Sequence, residues 1–183
     1  MSWLKETSSM LGRAPIVDFD GTLARLDVDW AGLRTRLGVG SLNDLWETVD
    51  PSTDGWRDDG AWRAVTEAEI DAARDAEPVP PTVAALLSCA AFAVLTANSE
   101  AAVAAFLDAQ APLRALCVTV AGRETLRGSK RDPAAFARGF RRCADATAGA
   151  RGGAVPVYVG DLPWELAAAR RLGAVAIDVR EVA

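Results

Sequence analysis

Ala14-Pro15-Ile16-Val17-Asp18-Phe19-Asp20-Gly21-Thr22-Leu23 places two carboxylates one residue apart at the end of a short apolar run, then turns at a glycine. Side chains at i and i+2 of an extended chain point to the same side. Two like charges held so close repel, and a hard cation is their natural company. The run reads as a strand end that holds magnesium and offers one carboxylate as a nucleophile.

Working outward, further apolar runs suited to buried strands lie at 91–96, 116–121, 155–159 and 174–179, beside 15–18 itself. Helical patterns fall between most of them. Ser99 is placed to cap a helix over Glu100–Gln110. Asp132-Pro133 opens a helix running to about Thr147, and Pro163 opens one through Leu172 that Gly173 ends. Strands alternating with helices predict an α/β fold with a doubly wound parallel sheet, Rossmann-like, covered on both faces. The stretch 25–81 breaks the alternation. Asp29 is placed to cap a helix through Leu37, Ser41 another through Val49, and a third runs over Asp59–Ala76 before the stiff return at Pro78, Pro80 and Pro81. The division expected is a core from 1–24 and 82–183, with a small α-helical cap over 25–81 inserted after the first strand.

Composition narrows the chemistry. The chain has 183 residues, half of them hydrophobic and a quarter charged, as in ordinary globular proteins. Its formal net charge is −5 with no basic block, which argues against a nucleic-acid partner. No run approaches the ~18 apolar residues of a membrane span, and Met1–Arg13 lacks a signal-peptide core. A cytoplasmic protein, monomeric or homodimeric, is the expectation. Cys89, Cys117 and Cys143 have no paired ligand spacing, so they read as plain thiols rather than a zinc site. Histidine is absent, which excludes serine–histidine and cysteine–histidine catalysis and histidine-ligated metals. Lysine occurs only at 5 and 130.

Three more segments fit the first. Leu95-Thr96-Ala97-Asn98-Ser99 puts a hydroxyl and helix-start N–H groups at a strand end, a phosphate-binding arrangement; the alternative is that Thr96 is a cap or turn residue. Lys130, just before a helix, is either a solvated charge or a point charge for phosphate. Val159-Gly160-Asp161-Leu162-Pro163-Trp164-Glu165 ends a strand with an acid that is either a metal ligand or a helix cap, and Glu165 follows one turn later. All four segments belong to the carboxyl edge of the sheet, where open α/β folds bind ligands. Asp18, Asp20 and Asp161 converge there as oxygen ligands for Mg2+, with Thr96 and Lys130 as donors to an anion.

With these segments in this order the chain resembles the haloacid dehalogenase superfamily, in the phosphoglycolate-phosphatase-like branch with a small helical cap. The resemblance covers essentially the whole chain. It departs at Arg131, where many members carry proline, and at Glu165, where a second aspartate is usual. It implies a magnesium-dependent phosphatase acting on a small-molecule phosphomonoester. Asp18 would be the nucleophile that becomes an aspartyl phosphate, and Asp20 the acid and base. Asp18, Asp161 and the Asp20 carbonyl would hold the metal. Thr96, Ala97, Asn98 and Lys130 would hold phosphate, with Glu165 orienting Lys130 or a metal-bound water. Dehalogenases of the superfamily lack an acid at the position of Asp20; phosphonatases need a cap lysine, and 25–81 contains none; its mutases often use a histidine. The alternatives kept are a phosphotransferase or phosphomutase, and a non-catalytic regulatory protein.

The insert carries Trp30, Trp46, Trp56 and Trp62, read either as the packing of a small cap or as walls for an organic leaving group. Arg34, Arg36, Arg57 and Arg63 are either solvated or binders of a second substrate anion. The insert is short for its branch, which implies a less closed crevice and larger or more varied substrates.

Overall fold

A strand buried on both faces is apolar at successive positions and divides them between two layers. The computed structural model, which describes residues 14–181, shows this division. Met1–Arg13, with Lys5 and the reading of that segment as lacking a signal core, lies outside the described residues. In chain order the elements are β1 (Ile16–Val17), β2 (Ala24–Arg25), α1 (Trp30–Leu37), α2 (Gly60–Arg74), β3 (Glu77–Pro78), α3 (Pro80–Leu86) and β4 (Phe92–Leu95). There follow α4 (Glu100–Asp108), α5 (Ala111–Leu116), β5 (Cys117–Ala121), α6 (Arg123–Leu126), α7 (Pro133–Arg151), β6 (Val157–Gly160), α8 (Pro163–Arg171) and β7 (Val175–Asp178).

Five strands make a parallel sheet in the order β5-β4-β1-β6-β7. Val17, Val94 and Val159 face one layer, with Leu86 of α3, Phe106 of α4 and Leu113 of α5. Ile16, Leu95 and Tyr158 face the other, with Phe136, Phe140 and Cys143 of α7 and Leu166 of α8. The doubly wound sheet is therefore present, and all five strand runs read from the sequence form it.

The caps the sequence marks at Asp29, Ser99 and Asp132 are formed, and Asp59, read there as the first residue of its helix, is a cap as well. Asp29, Asp59, Ser99 and Asp132 each accept from backbone N–H groups of the turn they open. Gly38 ends α1 in the left-handed region at φ 70°. Most helix ends lie within two residues of the expected ones, and two elements differ by more or in kind. α7 continues one turn past Thr147, because the Arg151 guanidinium donates to the carbonyls of Ala144 and Ala154 and ties down its last turn. The segment after Ser41 is a 3-10 helix over Leu42–Glu47 and not an α-helix. Asp44 Oδ2 accepts from the Ser41 N–H at 2.8 Å and the Thr48 hydroxyl donates to the Leu45 carbonyl, closing it within six residues, and Pro51 prevents extension. The sequence reading also left out α5, α6 and the ribbon β2–β3.

That ribbon matters for the site. β2 and β3 pair antiparallel, Ala24 with Pro78 and Arg25 with Glu77, so the chain leaves and re-enters the core side by side. Between them α1, two 3-10 turns and α2 gather around their own apolar cluster of Leu33, Leu45, Trp56, Trp62 and Val65. The Trp46 ring centroid lies 5.0 Å from that of Trp56 and 4.5 Å from that of Trp62. α2 also packs along α4 of the core. Among the described residues no helix is long and apolar enough to cross a membrane.

Cys143 is fully buried on α7, and burial pushes its thiol up to about 12. Since the thiolate is the reactive form, Cys143 is expected to stay unmodified by iodoacetamide in the native protein at mildly alkaline pH and to react once urea unfolds it. Peptide mass mapping reads the outcome.

Candidate active site

β1 and β6 are adjacent in the sheet, yet the chain winds to opposite sides from them. This reversal opens a crevice at their carboxyl ends, the usual ligand site of such sheets. Asp18 follows β1, and its N–H donates to the Val159 carbonyl at 2.9 Å. Asp161 follows β6. Between them the Phe19 carbonyl accepts from the N–H groups of Thr22, Leu23 and Ala24, folding Asp18–Ala24 into a tight turn. Gly21 sits in that turn at φ 78°, where a Cβ would come within 2.9 Å of Asp161 Oδ2. Glycine is needed there both for the left-handed backbone and for the approach of the Asp161 carboxylate.

The Lys130 ammonium is buried between two carboxylates, 2.7 Å from Asp18 Oδ1 and 2.6 Å from Glu165 Oε2. Glu165 is fully buried and saturated. Its Oε2 also accepts from the Tyr158 hydroxyl at 2.9 Å, and its Oε1 accepts from the N–H groups of Asp161 and Leu162, both at 3.2 Å. Gly160 lies against this carboxylate so closely that a Cβ would overlap Glu165 Oε1. Burial raises the Asp18 carboxyl above its ordinary value despite the pull of Lys130, and the two carboxylates hold the Lys130 ammonium above its own. Asp20 Oδ1 accepts from the Leu26 N–H at 3.1 Å, and burial raises its carboxyl as well.

Thr96 follows β4, in the same crevice. Its hydroxyl donates to Asn98 Oδ1 at 2.9 Å and accepts from the Asn98 N–H at 3.1 Å, so the loop is a local turn and also lines the cleft beside Ala97. The sequence reading missed what holds this loop. Glu69, buried on α2, accepts from Asn98 Nδ2 at 3.1 Å and from the Ser99 N–H at 2.9 Å. It also pairs with the Arg123 guanidinium, itself buried, whose backbone N–H donates to the Asn98 carbonyl. The signal was present: Trp62, Val65, Glu69 and Ala73 form the buried stripe of α2, and a carboxylate in such a stripe requires a partner.

The acids suit a divalent cation. Asp18, Asp161 and Glu165 each offer a carboxylate oxygen within 4.8 Å of the others. Three carboxyl groups face the single Lys130 ammonium, and burial together with the neighbouring Glu165 raises the Asp18 and Asp161 carboxyls. Asp161 Oδ1 is buried and has no hydrogen-bond donor among the described residues. Because Glu165 is already filled by four donors, Asp18 and Asp161 are the side chains that fit a magnesium ion. An oxygen-only donor set suits hard cations such as magnesium, calcium or manganese better than zinc.

Above these acids is a cleft of about 350 Å3. Trp30, Trp46 and Trp62 line it from the insert and Trp164 from α8. Trp56 only packs inside the cluster of the insert, whereas Trp46 and Trp62 both pack in that cluster and border the cleft. Arg34, Arg36, Arg57 and Arg63 are not among the residues that line the cleft. Arg57 lies 3.7 Å from Asp54. Arg131 lines the cleft instead.

No family model and no curated protein matches this sequence. Solved structures do match. The crystal structure of a dehalogenase aligns with a TM-score of 0.51 at 22% sequence identity, over 91% of this chain and 84% of that one. The crystal structure of UTR4 protein from Saccharomyces cerevisiae aligns with a TM-score of 0.53 at 14% identity, over 90% of this chain and 88% of that one. These likenesses show a common fold, an α/β core around a parallel sheet.

Glu69→Ala leaves the Arg123 charge buried without its partner. It is expected to destabilise the protein by about 3–5 kcal/mol in urea unfolding, and adding Arg123→Met to recover part of that loss.

Proposed function

We propose that the protein is a magnesium-dependent phosphatase of the haloacid dehalogenase superfamily, acting in the cytoplasm on a small-molecule phosphomonoester. The observation that carries the reading is the Asp18 carboxylate, paired with a buried lysine at the end of β1, with Asp20 and Asp161 on the same cleft.

In this reading Asp18 attacks phosphorus, the bond to the leaving oxygen breaks, and an aspartyl phosphate forms. Lys130 lowers the cost of keeping Asp18 ionised in a buried place and faces the phosphoryl oxygens as a point charge. The Thr96–Asn98 loop supplies further donors, its own hydrogen bonds exchanging for those to phosphate. Asp20 gives its proton to the departing alkoxide; burial holds its carboxyl above the usual range, which suits an acid. Asp20 then takes a proton from the water that attacks phosphorus, and inorganic phosphate leaves with Asp18 restored. A magnesium ion held by Asp18 and Asp161 supplies positive charge that offsets repulsion between carboxylate and phosphate. Glu165 fixes Lys130.

A carboxylate nucleophile also suits dehalogenation, and one of the solved structures of this fold is a dehalogenase. Asp20 favours phosphate: displacement of a halide needs no proton donor, whereas an alkoxide does.

p-Nitrophenyl phosphate is expected to be hydrolysed with magnesium and not with a chelator, and 2-haloacids to be left intact. Asp18→Asn is expected to lower kcat by ~10³-fold or more. Substantial turnover by that variant would falsify the nucleophile assignment.

Asp20→Asn separates the two half-reactions. p-Nitrophenolate leaves without a proton, so rapid-quench kinetics should show a burst of p-nitrophenol, then a slow phase as the aspartyl phosphate persists. A variant with steady turnover and no burst would remove Asp20 from the second step.

A further inference from the structure

Beyond the phosphate end, the cleft is built for a particular kind of leaving group. Its walls are indoles and aliphatic side chains: Trp30, Leu42, Trp46, Trp62 and Val65 from the insert, and Trp164 from α8. Aromatic faces of this kind bind planar groups, with a gain from ring geometry beyond simple burial.

The indoles are held in place from behind. The Trp62 ring packs 4.5 Å from Trp46 and carries the Arg123 guanidinium over its face at 4.6 Å. Arg123 is in turn fixed by Glu69. Trp62 is thereby a rigid wall, and rigid aromatic surfaces bind with little loss of side-chain entropy. Trp164 is braced by Phe136 at 6.3 Å on one side and has Arg131 over its ring at 5.7 Å. Neither indole N–H finds an acceptor among the described residues.

Charge points the same way. Apart from the acids and Lys130 of the phosphate end, the ionic side chains on the cleft are Glu69, Arg123 and Arg131. Glu69 and Arg123 neutralise one another, and Arg131 lies on Trp164. On the insert side a substrate carboxylate would meet no unpaired cation among the described residues, Arg131 lying at the Trp164 side, whereas an aromatic ring would meet the partly exposed indoles of Trp30, Trp46 and Trp164, with the buried Trp62 behind them. About 350 Å3 lies within the range of pockets that enclose a whole small organic ligand, and a two-carbon acid would leave most of it empty.

We infer that the substrate is a phosphomonoester of an uncharged aromatic alcohol, its ring taken up between the insert indoles and Trp164. This rests on the phosphatase reading for the phosphoryl end alone; the aromatic preference stands on the walls of the cleft.

The test compares alcohols of similar acidity, so that leaving-group chemistry does not imitate recognition. With magnesium, kcat/KM for 2-phenylethyl phosphate is expected to exceed that for ethyl phosphate by about 10–100-fold, with 2-phosphoglycolate no better than ethyl phosphate. Trp30→Ala and Trp46→Ala should each narrow the ratio about threefold or more. A second measurement needs no turnover: calorimetric titration with benzylphosphonate against methylphosphonate, with and without magnesium, should show the aromatic ligand about tenfold tighter. Equal binding of the two phosphonates overturns the inference, as does a ratio near unity for the two esters. Failure to hydrolyse any ester, with the phosphonate preference intact, removes the phosphatase reading and leaves the aromatic site standing.

Discussion

A buried ammonium is costly to take out of water, and the site is arranged around meeting that cost for Lys130. Asp18 reaches it from the end of β1 and Glu165 from α8, while Tyr158 of β6 fixes Glu165 from below. One interaction therefore joins the two central strands, the helix after the second of them and the loop before α7. It also sets the electrostatics of the cleft. With Glu165 filled by four donors, Asp18 and Asp161 are the two side chains that suit a divalent cation.

The second ion pair plays a different part. Glu69 belongs to the insert, yet it grips the backbone and side chain of the Thr96–Ser99 loop and the guanidinium of Arg123. The insert and the Thr96–Ser99 loop are thus one hydrogen-bonded unit. The same Arg123 stacks on Trp62, so the aromatic wall and the Thr96–Ser99 loop share a support. A shift of α2 would disturb both ends of the cleft together.

Much of this was legible in the sequence, for local reasons. Continuous burial in Ile16-Val17, Phe92–Leu95 and Val157–Gly160 follows from apolar runs a few residues long, and the caps at Asp29, Ser99 and Asp132 need only their own next turn. α5 and α6 escaped because each is too short to show a helical period. The segment after Ser41 has a helix start, but whether it continues as α or tightens to 3-10 is decided by Asp44, Thr48 and Pro51 together. Glu69 and Arg123 escaped because their partner is 54 residues distant. A charged residue in an apolar stripe signals that a partner exists and says nothing about where.

By itself the sequence determined the sheet, the insert between the first and second core strands, and the gathering of Asp18, Asp20, Thr96, Lys130 and Asp161 at one edge. Period, capping and strand-end position are properties of short segments, and parallel topology brings strand ends together whatever the side chains are. Only the tertiary structure decided that Glu165 is spent on Lys130, that Glu69 of the insert holds the Thr96 loop, and which tryptophans face the cleft. Those outcomes depend on distances between residues remote in the chain, and on buried charges taking whichever partners the packed fold brings within reach.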